Sequence, residues 1–183
     1  MIGLNLMCGM SIISMGLVQI EPAPVMQYRR FEMKLIRQIS KHGLEMIKQF
    51  ECVRGIPKLE AYVCPAGVLT IGYGHTGKDV QKGMKITPDK AEQLLIKDVQ
   101  RFVDNVNKQV NVELKQNQFD SLVSLAFNIG NANFNSSTLL KKINANAPIE
   151  EITYEFSRWN KGGGKVLKGL VARRKKEAEN YAR

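Results

Sequence analysis

The stretch 51–76, ECVRGIPKLEAYVCPAGVLTIGYGHT, constrains the fold of this chain more than any other part of the sequence. It opens with an acid, Glu51, directly after a segment with helical periodicity. Glycines and prolines, which favour turns, then lead into the short apolar run Val68–Tyr73. The pattern predicts a helix that ends at an acidic residue, followed by a small β element. Without these surroundings, Glu51 would be interpreted as a surface carboxylate.

Helical periodicity dominates the sequence on both sides of this stretch. Ser40 is suited to cap a helix, and its apolar face follows at three-residue spacing: Leu44, Ile47 and Phe50. Thr87 followed by Pro88 is a strong start signal for a longer helix. Spacings of three and four residues mark its apolar face: Ala91, Leu94, Leu95, Val99, Phe102, Val103 and Val106.

The C-terminal half is predicted to be helical as well. A helix over 119–126 should stop near Gly130, and a strongly basic helix is expected over 167–181. Two shorter helices are expected over 136–145 and 148–159, and the segment NKGGGK (160–165) is expected to be a flexible loop. The chain is therefore predicted to be α+β, with the long helix joining a small lobe that contains a β-hairpin to a larger helical lobe.

Charge and composition limit the class of partner. The chain has 183 residues, 44% of them hydrophobic, and a net charge of +10 at pH 7, which fits one globular domain. The charge favours nucleic acid, an anionic membrane or the bacterial envelope as partner, but a solvated basic surface explains it equally well. The aromatic residues are not interleaved with the basic ones as a stacking platform for nucleic acid requires, so no nucleic acid is expected. The histidines and cysteines lack the spacing of a zinc site, and neither a metal nor a cofactor is predicted.

The N-terminal run 2–20 contains no charged residue and is just long enough, as a helix, to span a bilayer. Glycines and polar residues dilute it, and no basic residue precedes it as in a signal peptide. Basic residues follow it, which the positive-inside rule would keep in the cytoplasm. Either the run directs export, or translation starts at Met26 or Met33. We expect an export or anchor segment with its connector over 1–38, followed by one domain over 39–183.

Several segments, taken in order along roughly 39–183, resemble the phage-type lysozymes, or endolysins, of glycoside hydrolase family 24. Besides 51–76 they are FDSLVSLAFNIG (119–130), STLLKKINA (137–145) and FSRWNKGGGKVLKGLVARR (156–174). The resemblance implies a lysozyme-like fold with a cleft between two lobes. It also implies hydrolysis of the β-1,4 bond between N-acetylmuramic acid and N-acetylglucosamine in peptidoglycan, which lyses the host cell. The N-terminal run is similar to the signal-arrest-release segments of some endolysins.

The family pattern of a Glu, then an Asp or Cys, then a Thr places Glu51, Cys64 and Thr70 at the catalytic cleft. The resemblance implies that Glu51 is the general acid and that Cys64 and Thr70 position the attacking water. A Cys64 thiolate could instead attack the sugar, but a soft thiolate suits an oxocarbenium-like centre poorly. Twelve residues separate Glu51 from Cys64 where the family usually has eight, so GIPK (55–58) is interpreted as an insertion. Glu60, a second carboxylate, is interpreted as a solvated turn residue.

Supporting roles are expected for three further residues. His75 should brace the hairpin through its ring nitrogens. Arg54 and Arg173 should either pair with Glu51 or the acidic groups of the substrate, or remain solvated surface cations. Trp159 is expected to fill the core of the helical lobe and not to stack on sugar.

The three cysteines, Cys8, Cys52 and Cys64, cannot all pair within one chain. The simplest interpretation is three reduced thiols. The alternative is a redox switch in which export allows a Cys52–Cys64 disulfide that blocks the site. Release of the N-terminal run from the membrane would then let Cys8 attack Cys52 and free Cys64.

The resemblance also bears on location and partners. Peptidoglycan glycan strands are the expected partner, the chain is expected to be a monomer, and 2–20 is expected to tether it transiently to the inner membrane. Export would place it in the periplasm or at the inner membrane of the bacterial host; otherwise it awaits release in the cytoplasm. The alternative function is a non-enzymatic cationic protein of degenerate lysozyme fold, whose basic C-terminal helix disrupts the envelope or membrane.

Overall fold

The structure of the chain, a computed structural model, describes residues 36–52, 55–64 and 67–183. The run 2–20, Cys8 and Arg54 lie outside the described residues. The helices are α1 (Lys41–Glu51), α2 (Pro88–Gln109), α3 (Gln116–Ile129), α4 (Asn131–Ser136), α5 (Thr138–Asn144), α6 (Ile149–Ser157) and α7 (Lys168–Ala182). The strands are β1 (Lys58–Val63), β2 (Leu69–Gly72), β3 (Lys161–Gly162) and β4 (Lys165–Val166). The predicted α+β class is confirmed.

Both predicted helix starts are confirmed. Ser40 precedes α1, and its hydroxyl oxygen accepts a hydrogen bond from the Gly43 amide at 3.1 Å. Thr87 precedes α2 and accepts from the Lys90 amide at 3.2 Å, while Pro88 occupies the first helical position, where no amide donor is needed. Local side-chain chemistry therefore fixes where the two helices that flank the hairpin begin.

The core lies mainly between the helices. Every residue of the predicted apolar face of α2 is buried, and α3 packs against α1, α2 and α7. The rings of Phe102 and Phe127 meet edge to face, with centroids 5.2 Å apart. Trp159 is partly buried against this core, as expected. α3 is therefore the helix around which the other long helices are arranged.

In the C-terminal half, the helix expected over 136–145 is confirmed as α5, whereas α4 was not predicted and the expected loop at 160–165 is wrong. Ser137 separates α4 from α5, since its extended backbone ends one helix while its hydroxyl caps the next by accepting from the Leu140 amide at 3.1 Å. The segment 160–165 is not an open loop, because β3 and β4 pair as a short antiparallel hairpin. Gly163 and Gly164 have φ of +56° and +78°, the backbone that a tight two-residue turn requires.

The first hairpin, β1–β2, contains an irregularity that accommodates extra residues. Lys58 pairs with Gly72 and Tyr62 with Thr70, so β1 carries more residues than β2 between these pairs. The additional residues bond to another segment: the Ala61 amide donates to Met84 O, and the Ile86 amide to Leu59 O, both at 2.9 Å. The bulge is therefore held by backbone pairing with 84–86, and the strand stays ordered despite the long interval between Glu51 and Cys64.

The start of α1 is fixed to α3 by Asp120, which is buried. Its carboxylate accepts from the Ser40 amide at 2.9 Å and from the Ser40 hydroxyl. The helices approach closely here because Gly43 has no side chain: a Cβ at this position would lie 2.8 Å from Asp120 Cγ and 2.8 Å from Ile39 Cγ1. Such distances are well inside van der Waals contact, so the approach requires glycine.

Gly43→Ala is expected to lower the free energy of unfolding by about 1–3 kcal/mol through overpacking. A loss of stability would be evidence for the packing constraint, because alanine is normally favoured over glycine inside a helix by about 1 kcal/mol. Gly169→Ala in α7 is the matched control, since nothing lies within 4 Å of the added Cβ; it should leave stability unchanged or raise it. Urea unfolding of both variants measures the effect. Equal or greater stability of Gly43→Ala would contradict the packing constraint.

Candidate active site

Glu51 is the last residue of α1, and its side chain is 23% exposed. The helix buries Leu44, Met46 and Ile47 on its inner face, and this packing fixes the direction in which its last turn points. Glu51 Oε1 accepts a hydrogen bond from Arg173 Nη1 of α7 at 2.7 Å. The candidate acid is therefore partly open to solvent on one side and held by a cation on the other.

Arg173 is buried and fully engaged. Its Nε donates to Glu177 Oε1 at 3.1 Å, and its Nη2 donates to the Ser124 carbonyl of α3 at 3.2 Å. The guanidinium also lies over the ring of Phe50, 5.4 Å from its centroid. Of the two arginines considered for Glu51, Arg173 makes the contact, and Arg54 lies outside the described residues.

Cys52 connects the end of α1 to the hairpin. Its thiol lies 3.7 Å from the Gly72 carbonyl at the end of β2, at hydrogen-bond distance for sulfur. Gly72 has a φ of +67°, and a Cβ there would lie 3.4 Å from Ala91 Cβ on α2. Glycine therefore lets β2 turn while lying against α2. Thr70, two positions back, is on the same face of β2 as Gly72.

The backbone amide of Cys64 and the hydroxyl of Thr70 donate to the same carbonyl oxygen. The Cys64 amide donates to the Val68 carbonyl at 2.9 Å, and the Thr70 hydroxyl donates to the same oxygen at 3.0 Å. Thr70 is buried, whereas Cys64 is partly exposed. Since the hydroxyl hydrogen of Thr70 is committed to Val68, only the lone pairs of its oxygen remain to receive another donor.

The thiol of Cys52 is free in this structure. Its burial raises the pKa of Cys52, and the neighbouring Glu51 raises it further. Thiolate formation is thus disfavoured, so this cysteine is a weak nucleophile in the folded protein. Cys8, the third member of the predicted switch, lies outside the described residues.

His75 braces the hairpin against α2. Its Nδ1 lies 2.8 Å from Asp98 Oδ2 of α2, and its Nε2 lies 3.2 Å from Asp79 Oδ1. Its backbone also pairs with Ile71 of β2. Burial of the ring opposes the charged form, but the hydrogen bonds to Asp98 and Asp79 outweigh it and raise the pKa of His75. The imidazolium therefore ties together three segments.

Other charged groups take structural positions. Glu60 is exposed, as interpreted, and lies 3.7 Å from Lys85, but it belongs to strand β1 and not to a turn. Lys48 is buried one turn before Cys52, and its ammonium lies 2.8 Å from Glu45 and 3.0 Å from Glu92 of α2. Lys48, unpredicted from sequence, thus joins α1 to α2.

Sequence analysis also missed Glu177 and Ser124. The carboxylate of Glu177 is fully buried in α7, which was predicted to be a strongly basic helix. Glu177 follows Arg174 by three residues and Arg173 by four, which places these opposite charges on one helix face. This spacing could have indicated from the sequence that the three side chains interact. Periodicity cannot reveal that this face is turned inward.

Comparison with known proteins gives the following matches. The family model "Phage lysozyme" matches residues 48–177. The endolysin of Bacillus phage B103 is 48% identical over 139 residues, which cover 76% of this chain and 52% of the relative. The SAR-endolysin of Bacteriophage PS34 is 37% identical over 122 residues, which cover 67% of this chain and 72% of the relative.

Solved structures agree with the sequence matches. The endolysin from Escherichia coli O157:H7 phage FAHEc1 superposes with a TM-score of 0.73 at 41% identity, covering 81% of this chain and 95% of that chain. The chain spans about half the length of the Bacillus phage endolysins that it matches. Within the part of the chain that the structure describes, no helix is long and apolar enough to cross a membrane.

Asp98→Asn is expected to destabilise the protein by about 2 kcal/mol at pH 5.5, the range for a hydrogen bond to a charged group. Because the pKa of His75 is raised by folding, its charged form stabilises the fold fully below its ordinary pKa. That contribution is lost as the pH rises through the folded value. The difference in unfolding free energy between wild type and variant should therefore shrink by pH 10.

Asp79→Asn, which alters the more exposed partner of the same ring, is the control and should have a smaller effect. Urea unfolding of the three proteins at pH 5.5 and 10 tests the prediction. A difference between wild type and Asp98→Asn that grows with pH would contradict it.

Proposed function

Because the chain belongs to the phage lysozyme family, we propose that it is an endolysin that hydrolyses the β-1,4 bond between N-acetylmuramic acid and N-acetylglucosamine. Peptidoglycan glycan strands are its substrate, and host lysis follows from their cleavage. The observation that carries the proposal is Glu51: a partly exposed acid, held by the buried Arg173, beside the hairpin that contains Cys64 and Thr70.

In this proposal Glu51 is the general acid. Glycoside hydrolysis needs a proton on the leaving oxygen as the bond breaks. Arg173 fixes Oε1 at 2.7 Å, and no hydrogen bond from a described residue engages Oε2. We assign Oε2 as the atom that carries the transferred proton. Arg173 fixes the orientation of the carboxyl group, and geometric alignment is a prerequisite for proton transfer.

Cys64 and Thr70 are proposed to hold the attacking water on the opposite face of the sugar. The lone pairs of the Thr70 hydroxyl oxygen would accept a hydrogen from this water, because its own hydrogen is donated to Val68. Cys64 lies across the hairpin turn from Thr70 and would provide the second contact. Attack by a Cys64 thiolate remains the less favoured alternative, since sulfur is a poor partner for an oxocarbenium-like centre.

The non-enzymatic alternative receives no support from the packing of α7. Arg173 and Arg174 are both buried, so this helix does not present all its basic residues to solvent. A cationic helix that disrupts membranes would instead be expected to lie with its basic face exposed.

Residues 1–38 are proposed to export the domain 39–183, or to tether it transiently to the inner membrane through 2–20. The similarity to a SAR-endolysin supports this proposal, as does the uncharged composition of the run. Export would place the protein, as a monomer, in the periplasm or at the inner membrane; without it the protein waits in the cytoplasm.

The cysteines are proposed to regulate this site. A disulfide between Cys52 and Cys64 would remove a water-holding side chain and draw the end of α1 towards the hairpin tip. Cys8 would reverse it by pairing with Cys52 once the N-terminal run leaves the membrane. The free thiol of Cys52 in this structure corresponds, in this scheme, to the reduced protein.

Glu51→Gln should lower the rate of glycan cleavage by about two to four powers of ten, because it removes the proton donor and keeps the shape. Glu60→Gln is the matched control and should retain wild-type activity, since Glu60 is exposed and pairs only weakly with Lys85. The measurement is release of reducing ends from soluble peptidoglycan strands, with product masses that distinguish hydrolysis from an anhydro end. Normal turnover by Glu51→Gln would exclude the proposed role.

Cys64→Asp should remain active, because either side chain can hold a water. Thr70→Ala should be severely impaired while Thr70→Ser retains activity. After release and oxidation, Cys8→Ser should have low activity that a reductant restores, because it cannot reverse the Cys52–Cys64 disulfide, whereas Cys64→Asp should be unaffected because it cannot form that disulfide. A folded but inactive Cys64→Asp would instead indicate a direct role for sulfur, and full activity of Cys8→Ser in oxidising buffer would exclude the switch.

A further inference from the structure

We propose that Glu177 is a positioning residue for the general acid, Glu51. Its negative charge offsets part of the positive charge of Arg173, so that Arg173 can hold Glu51 while Glu51 still carries a proton. The inference rests on the proposed function. It starts from a group of charges buried together beside Glu51, namely Arg173, Arg174 and Glu177. The reaction as described above does not use Arg174 or Glu177.

Glu177 is at the centre of this group. Its Oε1 accepts from Ser124 Oγ at 2.6 Å, from Arg173 Nε at 3.1 Å and from Arg174 Nη2 at 3.1 Å. Its Oε2 lies 2.8 Å from Arg174 Nε. Burial raises the pKa of Glu177, and the two guanidinium groups and Ser124 oppose that rise. The two guanidinium groups that contact this side chain favour its carboxylate form.

The charges in this group do not balance when Glu51 is protonated. Two guanidinium groups then face one carboxylate, so the group carries one uncompensated positive charge. Burial lowers the pKa of Arg174 to about 10, and its Nη1 has no hydrogen-bond partner among the described residues. Ionisation of Glu51 neutralises the group. How readily Glu51 binds a proton therefore depends on the charges that are buried around Arg173.

Beside Glu51, burial raises the pKa of the Cys52 thiol and disfavours its thiolate, and Lys176 of α7 donates to Gln49 of α1 at 2.6 Å. On α3, Asp120 accepts from Ser40 at the far end of the helix. On α6, Glu155 pairs with Lys142 at 3.1 Å and with Arg158 at 3.4 Å. Within the described part of the chain, Glu51 and Glu177 are the acids that contact Arg173. Glu177 is thus the group that offsets the cations when Glu51 carries its proton.

Two neutralising substitutions should have opposite effects. Without the charge of Glu177, Glu51 is the single anion beside two buried cations, so its proton-carrying form becomes unfavourable. Without the charge of Arg174, the ionised form loses a stabilising cation and the proton is retained to higher pH. The direction follows from the sign of the removed charge, which a purely structural role of either residue does not predict.

The test is the pH dependence of kcat/KM on soluble, uncross-linked peptidoglycan strands. For Glu177→Gln, the pH above which activity falls should move down by about one unit, the effect expected of a nearby charge. For Arg174→Gln, the pH above which activity falls should move up. The double variant, which restores the wild-type charge balance, should return close to the wild-type profile. Glu177→Asp, which keeps the charge, should not move it.

Superimposable profiles for wild type and both folded single variants would overturn the inference, as would shifts of the same sign. If Glu177→Gln does not fold, Arg174→Gln alone decides: an upward shift supports the proposal, and an unchanged or lower value rejects it. These results are distinct from failure of the proposed function, in which wild type itself would not cleave the strands.

Discussion

The contact between Arg173 and Glu51 joins residues 122 positions apart and depends on the packing of three helices. Arg173 cannot occupy its place unless α3 offers the Ser124 carbonyl and α7 offers Glu177. Buried ion pairs of this kind add little net stability, because desolvation costs about as much as the attraction returns. Their presence here is better explained by the need to hold one carboxyl group in a defined orientation at the end of α1.

Two further interactions fix α1 in the position that this contact requires. Asp120 holds its first turn against α3, where the absence of a side chain at Gly43 permits close approach. Lys48 holds its last turns against α2 through Glu92. Because the helix is fixed at both ends, the position of its last residue is set by contacts with α2 and α3, and Arg173 then orients the carboxyl group of Glu51.

The hairpin is positioned in a comparable way from the other side. His75 ties it to Asp98 of α2, and Gly72 allows β2 to lie against Ala91. The Val68 carbonyl then brings Cys64 and Thr70 together at the turn. The bulge in β1 is held by backbone partners in 84–86.

The sequence alone determined the helix starts at Ser40 and Thr87, the apolar face of α2 and the motif containing Glu51, Cys64 and Thr70, because caps, periodicity and short motifs are local. It did not determine the break at Ser137, the hairpin at 160–165 or the burial of Lys48, Arg174 and Glu177. Whether Arg173 contacts Glu51 was also open. Tertiary packing decided these points, since whether a charged helix face is turned towards solvent or towards another helix depends on partners distant in sequence.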